Sequence, residues 1–554
     1  MDEYQIRQQI KTYVERKIHE FINNYLCKYK DNIGFLLLYH LIALEKEFIS
    51  SYPSQGKVEI YRSSISWFIG QIKPRIGDEK LDFRFNQAEF DYYCENILPV
   101  INNAYSDYKV LKEIMDMSSV TKSQLIELSP SVYKLINSTV WGGFLKEYLY
   151  FNGVHDKERM EYERTVKKQP VEFLTDRIKN SREKNLKGDI NRIERLMIDV
   201  NKDLLELCYQ STELDLSKIE GFKSETIKSD KSLLDLISVF YYFSQVRLET
   251  YKLSLLDSPN DQALLITFNK EYLVQKINRI TDLHVEFIKK CITYFSFDGR
   301  GTLLEFPILE YNGRVHFIPS SFLLSDLQFS LTNGHYLKNT KVIRRDDSVS
   351  KSVVSEITSS LGGYNNIVVV EGKYYEFTND VGKKENSDID VAVYDRNSNS
   401  LLIIECKWKE NHYISVLEEN YVKILDTLNK AYSKQLNKHK AFLESDLDNI
   451  NSTLELTGEN ELRGFPQIFY IAVDKRCQLY IDNKYLVPLY GLLTLFKIHG
   501  DSQSLKLEIV IEELKIQNTK VDYVYIEENQ KEVDIDSHFT LNTDDLNLDY
   551  DIDK

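Results

Sequence analysis

The chain has few of the residues that break or cross-link a polypeptide. Its 554 residues include 10 prolines, 21 glycines and six cysteines. The cysteines form no CxxC pair and have no histidine partner at zinc spacing, which argues against a structural zinc site. We expect them to be reduced, buried small hydrophobes. Their positions are Cys27, Cys94, Cys208, Cys291, Cys406 and Cys477.

Several sequence signals of other protein classes are also missing. The longest apolar run, over 33–44, is interrupted by His40 and is too short to span a bilayer. The first thirty residues carry no apolar core of a signal peptide. There is no GxxxxGK[ST] phosphate loop and no serine-histidine-aspartate signature. We therefore expect a cytoplasmic protein that makes no membrane contact and does not drive its own translocation along a substrate.

The charge is unevenly distributed along the chain. With 70 basic and 85 acidic residues the formal net charge is −15. By our count, residues 446–554 carry 22 acidic and 10 basic residues, whereas 335–445 carry 16 of each. A neutral or locally basic site on an acidic body is compatible with a phosphate-bearing substrate, although it does not require one.

The hydrophobic pattern predicts a multidomain protein of α plus α/β class. Residues 1–297 show apolar positions at three- and four-residue steps, typical of one or more helical domains for recognition, regulation or oligomerisation. Residues 298–334 contain short apolar runs around Asn312-Gly313, which indicate a small β element. Residues 335–500 predict an α/β domain. Residues 501–554 predict a strand over 505–511 and, from 527, a mobile acidic tail.

Within 335–500 the predicted elements follow the order α-β-β-β-α-β. A helix is expected over 348–361, ended by Gly362-Gly363. The sequence predicts the other elements as strands over 367–371, 389–395, 401–408 and 467–473, with helices over 418–443 and 486–498.

The most informative segment is 387–409, which reads SDIDVAVYDRNSNSLLIIECKWK. Two apolar strands flank a turn rich in Asn and Ser. In the second strand, alternation places Glu405 and Lys407 on the same face as Leu401 and Ile403. An exposed surface pair is the alternative interpretation, but those apolar neighbours favour burial, and burying charge is costly unless something pairs it.

The expected register of this hairpin brings two acids together. A turn centred between Asn397 and Ser398 puts Asp390 opposite Glu405, where Cβ atoms are roughly 5 Å apart. Asp388 is the competing choice in the first strand. Two carboxylates at that distance repel each other, whereas a divalent cation reverses the interaction, and hard oxygen ligands suit Mg²⁺. Lys407 would then lie where it can orient water and stabilise charge at phosphorus.

The D-x14-ExK arrangement resembles the PD-(D/E)xK nuclease superfamily, which includes restriction-endonuclease-like and Holliday-junction-resolvase-like members. The resemblance covers only 335–500, and Ile389 replaces the family's proline. It implies that Asp390 and Glu405 bind Mg²⁺, with Mn²⁺ as a substitute, that the Cys406 backbone carbonyl is a further ligand, and that Lys407 is the catalytic lysine. Glu356 matches the metal-binding glutamate of the family's first helix, with Glu371 as its competitor.

The helix after the motif carries further candidates. Leu425, Leu428, Tyr432, Leu436, His439 and Leu443 form one stripe on the helical wheel. Gln435 borders this stripe and matches the catalytic-site glutamine of resolvase-like members. Two basic groups are candidates for contacts with nucleic-acid phosphates. They are Lys430, Lys434 and Lys438 on this helix, and Lys338, Lys341, Arg344 and Arg345 before the domain.

These residues predict a Mg²⁺-dependent endonuclease that hydrolyses phosphodiester bonds, with duplex DNA as the expected partner. A large unrelated domain beside such a nuclease is typical of prokaryotic restriction and phage-defence proteins, and the helical half could also bind a partner protein or a second copy. A ribonuclease or a branched-DNA nuclease is the first alternative. A non-catalytic nucleic-acid-binding or scaffold protein with a degenerate nuclease domain is the second.

Overall fold

The computed structural model describes most of the chain in segments. The described residues are 3–28, 33–50, 55–73, 84–112, 115, 124–130, 132–136, 168–179, 186–217, 223–224, 231–256, 259–303, 306–323, 331, 342–343, 345–378, 382–407, 417–474, 479–481, 483–516, 524–535 and 539–550. All structural statements below concern these residues.

The N-terminal half is helical, as its periodicity predicts. Five helices come first: α1 (Glu3–Lys28), α2 (Ile33–Ser50), α3 (Gln55–Ile72), α4 (Gln87–Asn96) and α5 (Leu98–Ala104), which continues as a π-helix over Tyr105–Val110. Six more follow: α6 (Lys168–Lys179), α7 (Leu186–Arg195), α8 (Lys202–Ser217), α9 (Lys231–Ser254), α10 (Lys270–Thr281) and α11 (Val285–Phe295). Helix α9 is buried along most of its length, because apolar or aromatic residues occupy all of its faces.

The small β element is joined to this helical half. Strands β5 (Leu309–Tyr311) and β6 (Arg314–Phe317) form the expected hairpin around Asn312-Gly313. Strand β6 also pairs with β4 (Ile266–Asn269), which lies inside the region predicted as helical. A short helix, α12 (Ser320–Leu323), follows. Val315 and Phe317 are part of the core around α9, so this sheet shares a core with the helices.

The acidic tail contains two strands. The sequence predicts a mobile segment from residue 527, and that prediction is wrong for β14 (Val524–Ile535) and β15 (Phe539–Tyr550), which pair along their whole length. Strand β15 also pairs in parallel with β2 (Val132–Ile136), the partner of β1 (Gln124–Ser129). The tail is acidic but also carries apolar residues near both ends of each strand, and the strand pairing satisfies its backbone groups.

The C-terminal half is built on a six-stranded sheet of order β12-β13-β11-β10-β9-β8. These strands are β8 (Ile367–Thr378), β9 (Lys384–Asp395), β10 (Ser400–Cys406), β11 (Gln467–Asp474), β12 (Leu479–Ile481) and β13 (Lys484–Pro488). The pairing is antiparallel from β8 to β10 and parallel from β10 through β11 to β13. A two-residue strand, β7 (Val342–Ile343), precedes this sheet and pairs with β3 (Lys223–Ser224) in the helical half.

Helices cover both faces of the sheet. One face packs against α14 (Leu417–Ala431), a π turn (Tyr432–Leu436), α15 (Asn437–Leu443) and α16 (Leu447–Thr453). The other face packs against α13 (Arg345–Leu361), α17 (Leu489–His499) and α18 (Leu507–Ile516). The protein is therefore mixed α/β, with a helical N-terminal half and a layered C-terminal half.

Two sequence predictions for this half are wrong. Residues 505–511 do not form a strand, since Leu507 begins α18. The segment predicted as one helix over 486–498 begins in strand β13, and helix α17 starts only at Leu489. Both segments are short apolar runs in which the helical and the extended periods fit about equally well.

No helix in the described part of the chain is long and apolar enough to cross a membrane. Four cysteines have described side chains and form no disulfide: Cys208, Cys291 and Cys406 are buried and Cys94 is partly buried. Their burial agrees with the sequence prediction.

Candidate active site

The β9–β10 hairpin has the predicted register. Asp395 pairs with Ser400 and Val391 with Ile404, so the next position in the same register sets Asp390 opposite Glu405. The turn contains Asn399 in the left-handed conformation, with φ of 51°, which Asn adopts more readily than most residues. The register predicted from the sequence is confirmed along these pairs, and its continuation brings Asp390 and Glu405 to opposite positions.

Glu405 is a buried carboxylate. Its exposed fraction is 1%, and the alternating residues Leu401 and Ile403 of the same strand lie in the core beneath α14 and α15. The residues between them, Leu402 and Ile404, belong to the opposite core. Alternation along β10 thus carries Glu405 into the layer between the sheet and these helices, where an ionised carboxylate needs donors.

Two side chains contact Glu405, one at each carboxylate oxygen. Lys407 Nζ lies 2.5 Å from Oε1, and His439 Nε2 lies 3.2 Å from Oε2. Lys407 is one pleat further along the strand and its side chain is 26% exposed, so its ammonium group lies where the buried layer opens to solvent. The amine predicted from the ExK pattern is therefore placed beside the acid.

Asp390 is half-buried and joined to the end of β10. The Cys406 backbone N–H donates to its Oδ2 at 2.7 Å. Burial and the negative charge of Glu405 raise the pKa of Asp390 to about 8, because they outweigh the Cys406 hydrogen bond and the Lys407 charge. Asp388, the competing acid, is exposed and pairs opposite Tyr374, so the structure favours Asp390 as the partner of Glu405.

The backbone of Cys406 also faces this site. The N–H of Lys407 donates to the Val473 carbonyl on β11. In a planar trans peptide the carbonyl of Cys406 points away from that N–H, and so toward β9 and Asp390. The thiol of Cys406 points the other way, into the second core, where burial raises its pKa. Cys406 can thus offer a carbonyl oxygen but not a thiolate.

Gln435 completes the contacts of Lys407. Its Oε1 lies 2.5 Å from Lys407 Nζ, as expected for a glutamine that borders the buried stripe. Gln435 belongs to the π turn, which interrupts the single helix that the sequence predicts. The Tyr432 hydroxyl anchors the turn to the sheet, since it donates to the Tyr470 carbonyl and accepts from the Tyr485 N–H. Turns of this type are frequent at functional sites.

These groups fit a hard divalent cation. The donors are the Asp390 and Glu405 carboxylates and the Cys406 carbonyl, which are the oxygen ligands that Mg²⁺ prefers. The raised pKa of Asp390 shows that the pair without a cation favours a proton. Within the described residues no group of three or more His, Cys, Asp or Glu side chains is arranged to hold a metal. Any cation here would therefore depend on two carboxylates, the carbonyl and water.

Glu356 lies in a different layer from the acidic pair. It is on α13, whose neighbouring residues Val353 and Ile357 pack against the opposite face of the sheet. Among the described contacts, no hydrogen bond or ion pair joins Glu356 to Asp390, Glu405 or Lys407. Its competitor Glu371 is exposed on β8. The metal-binding role of Glu356 stays a prediction.

The predicted phosphate-binding residues are described only in part. Lys430 is exposed and pairs with Asp426 at 2.5 Å, and Lys438 lies 3.5 Å from Glu385. Lys434 is exposed. Because the π turn falls between Lys430 and Lys438, the even four-residue spacing of a regular helix does not apply to them. Lys338, Lys341 and Arg344 lie outside the described residues, and only the backbone of Arg345 is described, as the first residue of α13.

Sequence reasoning missed two residues of the site, His439 and Tyr375. His439 is fully buried, and its Nδ1 lies 2.8 Å from the Tyr375 hydroxyl on β8. The signal for His439 was present, since it is the one histidine in the apolar stripe that faces the sheet. No comparable signal marked Tyr375, which becomes a neighbour only through the pairing of β8 with β9.

Comparisons with known proteins add little to this geometry. No protein-family model matches the chain, and no curated protein matches it. The crystal structure of protein VC1899 from Vibrio cholerae aligns at 15% sequence identity over 54% of this chain and 60% of that one, with a TM-score of 0.16. Similarity at that level carries no conclusion about fold or activity.

Proposed function

We propose that the C-terminal half is a metal-dependent nuclease domain of the restriction-endonuclease-like fold, which hydrolyses phosphodiester bonds in duplex DNA. The observation that carries the proposal is the pairing of Asp390 and Glu405 across the β9–β10 hairpin, with the Lys407 ammonium on Glu405. Support for the fold comes from the order of elements, α13-β8-β9-β10-α14-β11, and from the helices on both faces of the sheet.

Asp390, Glu405 and the Cys406 carbonyl would hold the cation. A bound Mg²⁺ would supply Lewis acidity and offset the charge that the two carboxylates and a phosphate bring together. The protein's own contribution is to keep both carboxylates in place before the cation arrives. The hydrogen bond from Cys406 fixes Asp390, and Lys407 and His439 fix Glu405.

Lys407 is the residue that would act on the phosphate. An ammonium group has three N–H donors. Glu405 and Gln435 each accept from Lys407, which among the described residues leaves one donor for a phosphate oxygen or for the attacking water. In hydrolysis a bond forms between water oxygen and phosphorus, the bond to the leaving nucleoside oxygen breaks, and the proton lost by water ends on that oxygen. Lys407 stabilises the negative charge that develops at phosphorus.

The test is a cleavage assay with Mg²⁺ that compares the wild type with Lys407→Ala. We expect Lys407→Ala to lower the cleavage rate by about 100-fold or more, the range seen when one charge-stabilising donor is removed. The matched control is Lys515→Ala, which removes a partly exposed lysine paired with Glu512 on α18 and should leave the rate unchanged. EDTA should abolish cleavage, and Mg²⁺ should restore it.

The choice of substrate separates the proposal from its alternatives. Duplex DNA, branched DNA and RNA are assayed side by side, with either Mg²⁺ or Mn²⁺. Preferential cleavage of RNA or of branched DNA would replace the duplex assignment. Equal rates for the wild type and Lys407→Ala would overturn the mechanism. A wild type that cleaves none of the three would favour a non-catalytic binding protein.

A further inference from the structure

His439 and Tyr375 form a chain of contacts behind the acidic pair. His439 lies on α15 with no exposed surface, and its two ring nitrogens face different partners. Nδ1 is 2.8 Å from the Tyr375 hydroxyl, and Nε2 is 3.2 Å from Glu405 Oε2. The chain therefore runs from β8 through the helix layer to the end of β10.

The chemistry of the partners fixes the direction of this chain. An ionised carboxylate can only accept a hydrogen bond, so the Nε2 atom that faces Glu405 must carry the hydrogen. In a neutral imidazole Nδ1 is then the acceptor, and the Tyr375 hydroxyl donates to it. Burial raises the pKa of Tyr375, which keeps its hydroxyl protonated for this purpose.

Packing holds the tyrosine in place. Its ring stacks on Phe442 with centroids 4.0 Å apart and an interplanar angle of 9°. Its edge meets the His439 ring with centroids 5.7 Å apart. Because Phe442 and His439 are on the same helix, α15, one rigid element positions both the tyrosine and the histidine.

We propose that His439 and Tyr375 are positioning residues, which hold the Glu405 carboxylate in the rotamer that binds a divalent cation together with Asp390. Lys407 engages one oxygen of Glu405 and His439 the other, so the carboxylate cannot rotate away when the cation is absent. This inference rests on the proposed function, because it assigns a role within the same site. Residues that orient a metal ligand in this way typically change metal affinity by 10- to 100-fold.

The first experiment measures Mn²⁺ binding directly, without DNA, by titration calorimetry on the full-length chain. His439→Leu removes the donor to Glu405, and we expect it to weaken Mn²⁺ binding by about 10- to 100-fold. His439→Gln places an amide N–H close to the position of Nε2 and should recover most of the affinity. Tyr375→Phe keeps the stack on Phe442 and should cause a smaller loss. His499→Gln, which alters a histidine beside Glu513, is the control and should bind as the wild type does.

Cleavage kinetics provide a second readout. His439→Leu should lower kcat at fixed Mg²⁺ with little change in the KM for DNA, and raising the Mg²⁺ concentration should recover part of the rate. A purely structural role would instead lower thermal stability without a response to Mg²⁺. The His439→Gln variant separates the positioning role from a purely structural one, because a positioning role predicts that it restores both Mn²⁺ affinity and the cleavage rate.

A third measurement needs no variant and no metal. In wild-type protein labelled with ¹⁵N-histidine, the proposal requires the His439 proton to be on Nε2. A proton on Nδ1 would overturn it, as would wild-type Mn²⁺ affinity in a folded His439→Leu variant. If the wild type binds Mn²⁺ but cleaves no nucleic acid, the nuclease proposal fails and the positioning proposal stands. A wild type that binds no Mn²⁺ overturns both.

Discussion

At the scale of single residues, the acidic pair is an arrangement that only a folded chain can sustain. Glu405 has lost nearly all contact with water, and the continued register of the hairpin sets it opposite Asp390. Desolvated like charges cost several kcal/mol unless donors or a cation offset them. The surrounding sheet and helices must supply that stability, as is common where function places charge in a buried layer.

This pair could be found from the sequence because short-range rules determine it. Strand alternation and one turn centre suffice to set Asp390 opposite Glu405, and both can be read within twenty residues. His439 and Tyr375 could not be assigned in the same way. Their contacts depend on how α15 lies on the sheet and on the pairing of β8 with β9, which are long-range features.

A second buried histidine gives a prediction about pH. His40 on α2 is fully buried, and its Nδ1 contacts the Tyr93 hydroxyl. Burial lowers the pKa of His40 to about 3, so between pH 3 and 6.5 the unfolded chain binds a proton that the folded chain does not. The contribution of neutral His40 to the free energy of unfolding is therefore fully present above pH 6.5. Below that pH the free energy of unfolding falls by up to about 1.4 kcal/mol per pH unit through this group.

We expect His40→Asn to flatten that dependence. The Asn Oδ1 can accept from Tyr93, and the titrating ring is removed. Thermal midpoints measured from pH 7 to 4.5 should fall less in His40→Asn than in the wild type. His284→Asn is the control, since His284 is an exposed helix N-cap that Asn can replace. Parallel curves for His40→Asn and the wild type would contradict the assignment.

At the scale of elements, helices and strands were predictable where the apolar residues follow either the helical or the strand period. They were unpredictable where both periods fit the same segment. The strands β9, β10 and β11 were found because long apolar stretches end at clear turns. The π turn was not, because a one-residue change of helical step leaves no mark in the periodicity. Helix α18 was predicted as a strand because the run from Leu505 alternates apolar and polar residues as far as Ile509.

Helix α18 can be distinguished from a strand by two matched substitutions. In the helix Val510 is buried and Ile509 is 36% exposed. A strand would instead place Ile509 on the buried face beside Leu507, and Val510 on the opposite, exposed face. We expect Val510→Ala to destabilise the protein by about 1–3 kcal/mol and Ile509→Ala by less than about 0.5 kcal/mol. Both substitutions replace a β-branched residue with alanine, so helix propensity changes similarly. The opposite ranking in thermal unfolding would contradict the helix.

At the scale of the whole molecule, the tail pairs with a strand of the N-terminal half. Residues 540–542 of β15 pair with 132–134 of β2, and β15 also lies alongside α3. The acidic composition of this segment led to the expectation of a tail without structure, which was wrong because composition says nothing about a distant strand edge. Such an edge cannot be found from local sequence rules.

Removal of the tail should expose that edge. We expect truncation after residue 516 to speed proteolysis between residues 124 and 136 by several-fold, because β2 loses its partner and opens more readily. Truncation of 551–554 alone is the control. Equal cleavage rates for the two truncations would argue against the pairing. The same pair of variants tests whether the acidic tail shields a basic surface, since unchanged DNA affinity after truncation would exclude that role.

The pairing of β2 with β15 also has a consequence for biosynthesis. Roughly 400 residues separate the partners, and a ribosome that adds about 5–20 residues per second needs on the order of 20–80 seconds to make that length. During this interval the hairpin of β1 and β2 emerges with one edge uncovered. A nascent chain with such an uncovered strand edge can aggregate before translation is finished. Removal of holdase chaperones should therefore lower the yield of folded protein, while the stability of the protein that does fold should stay the same.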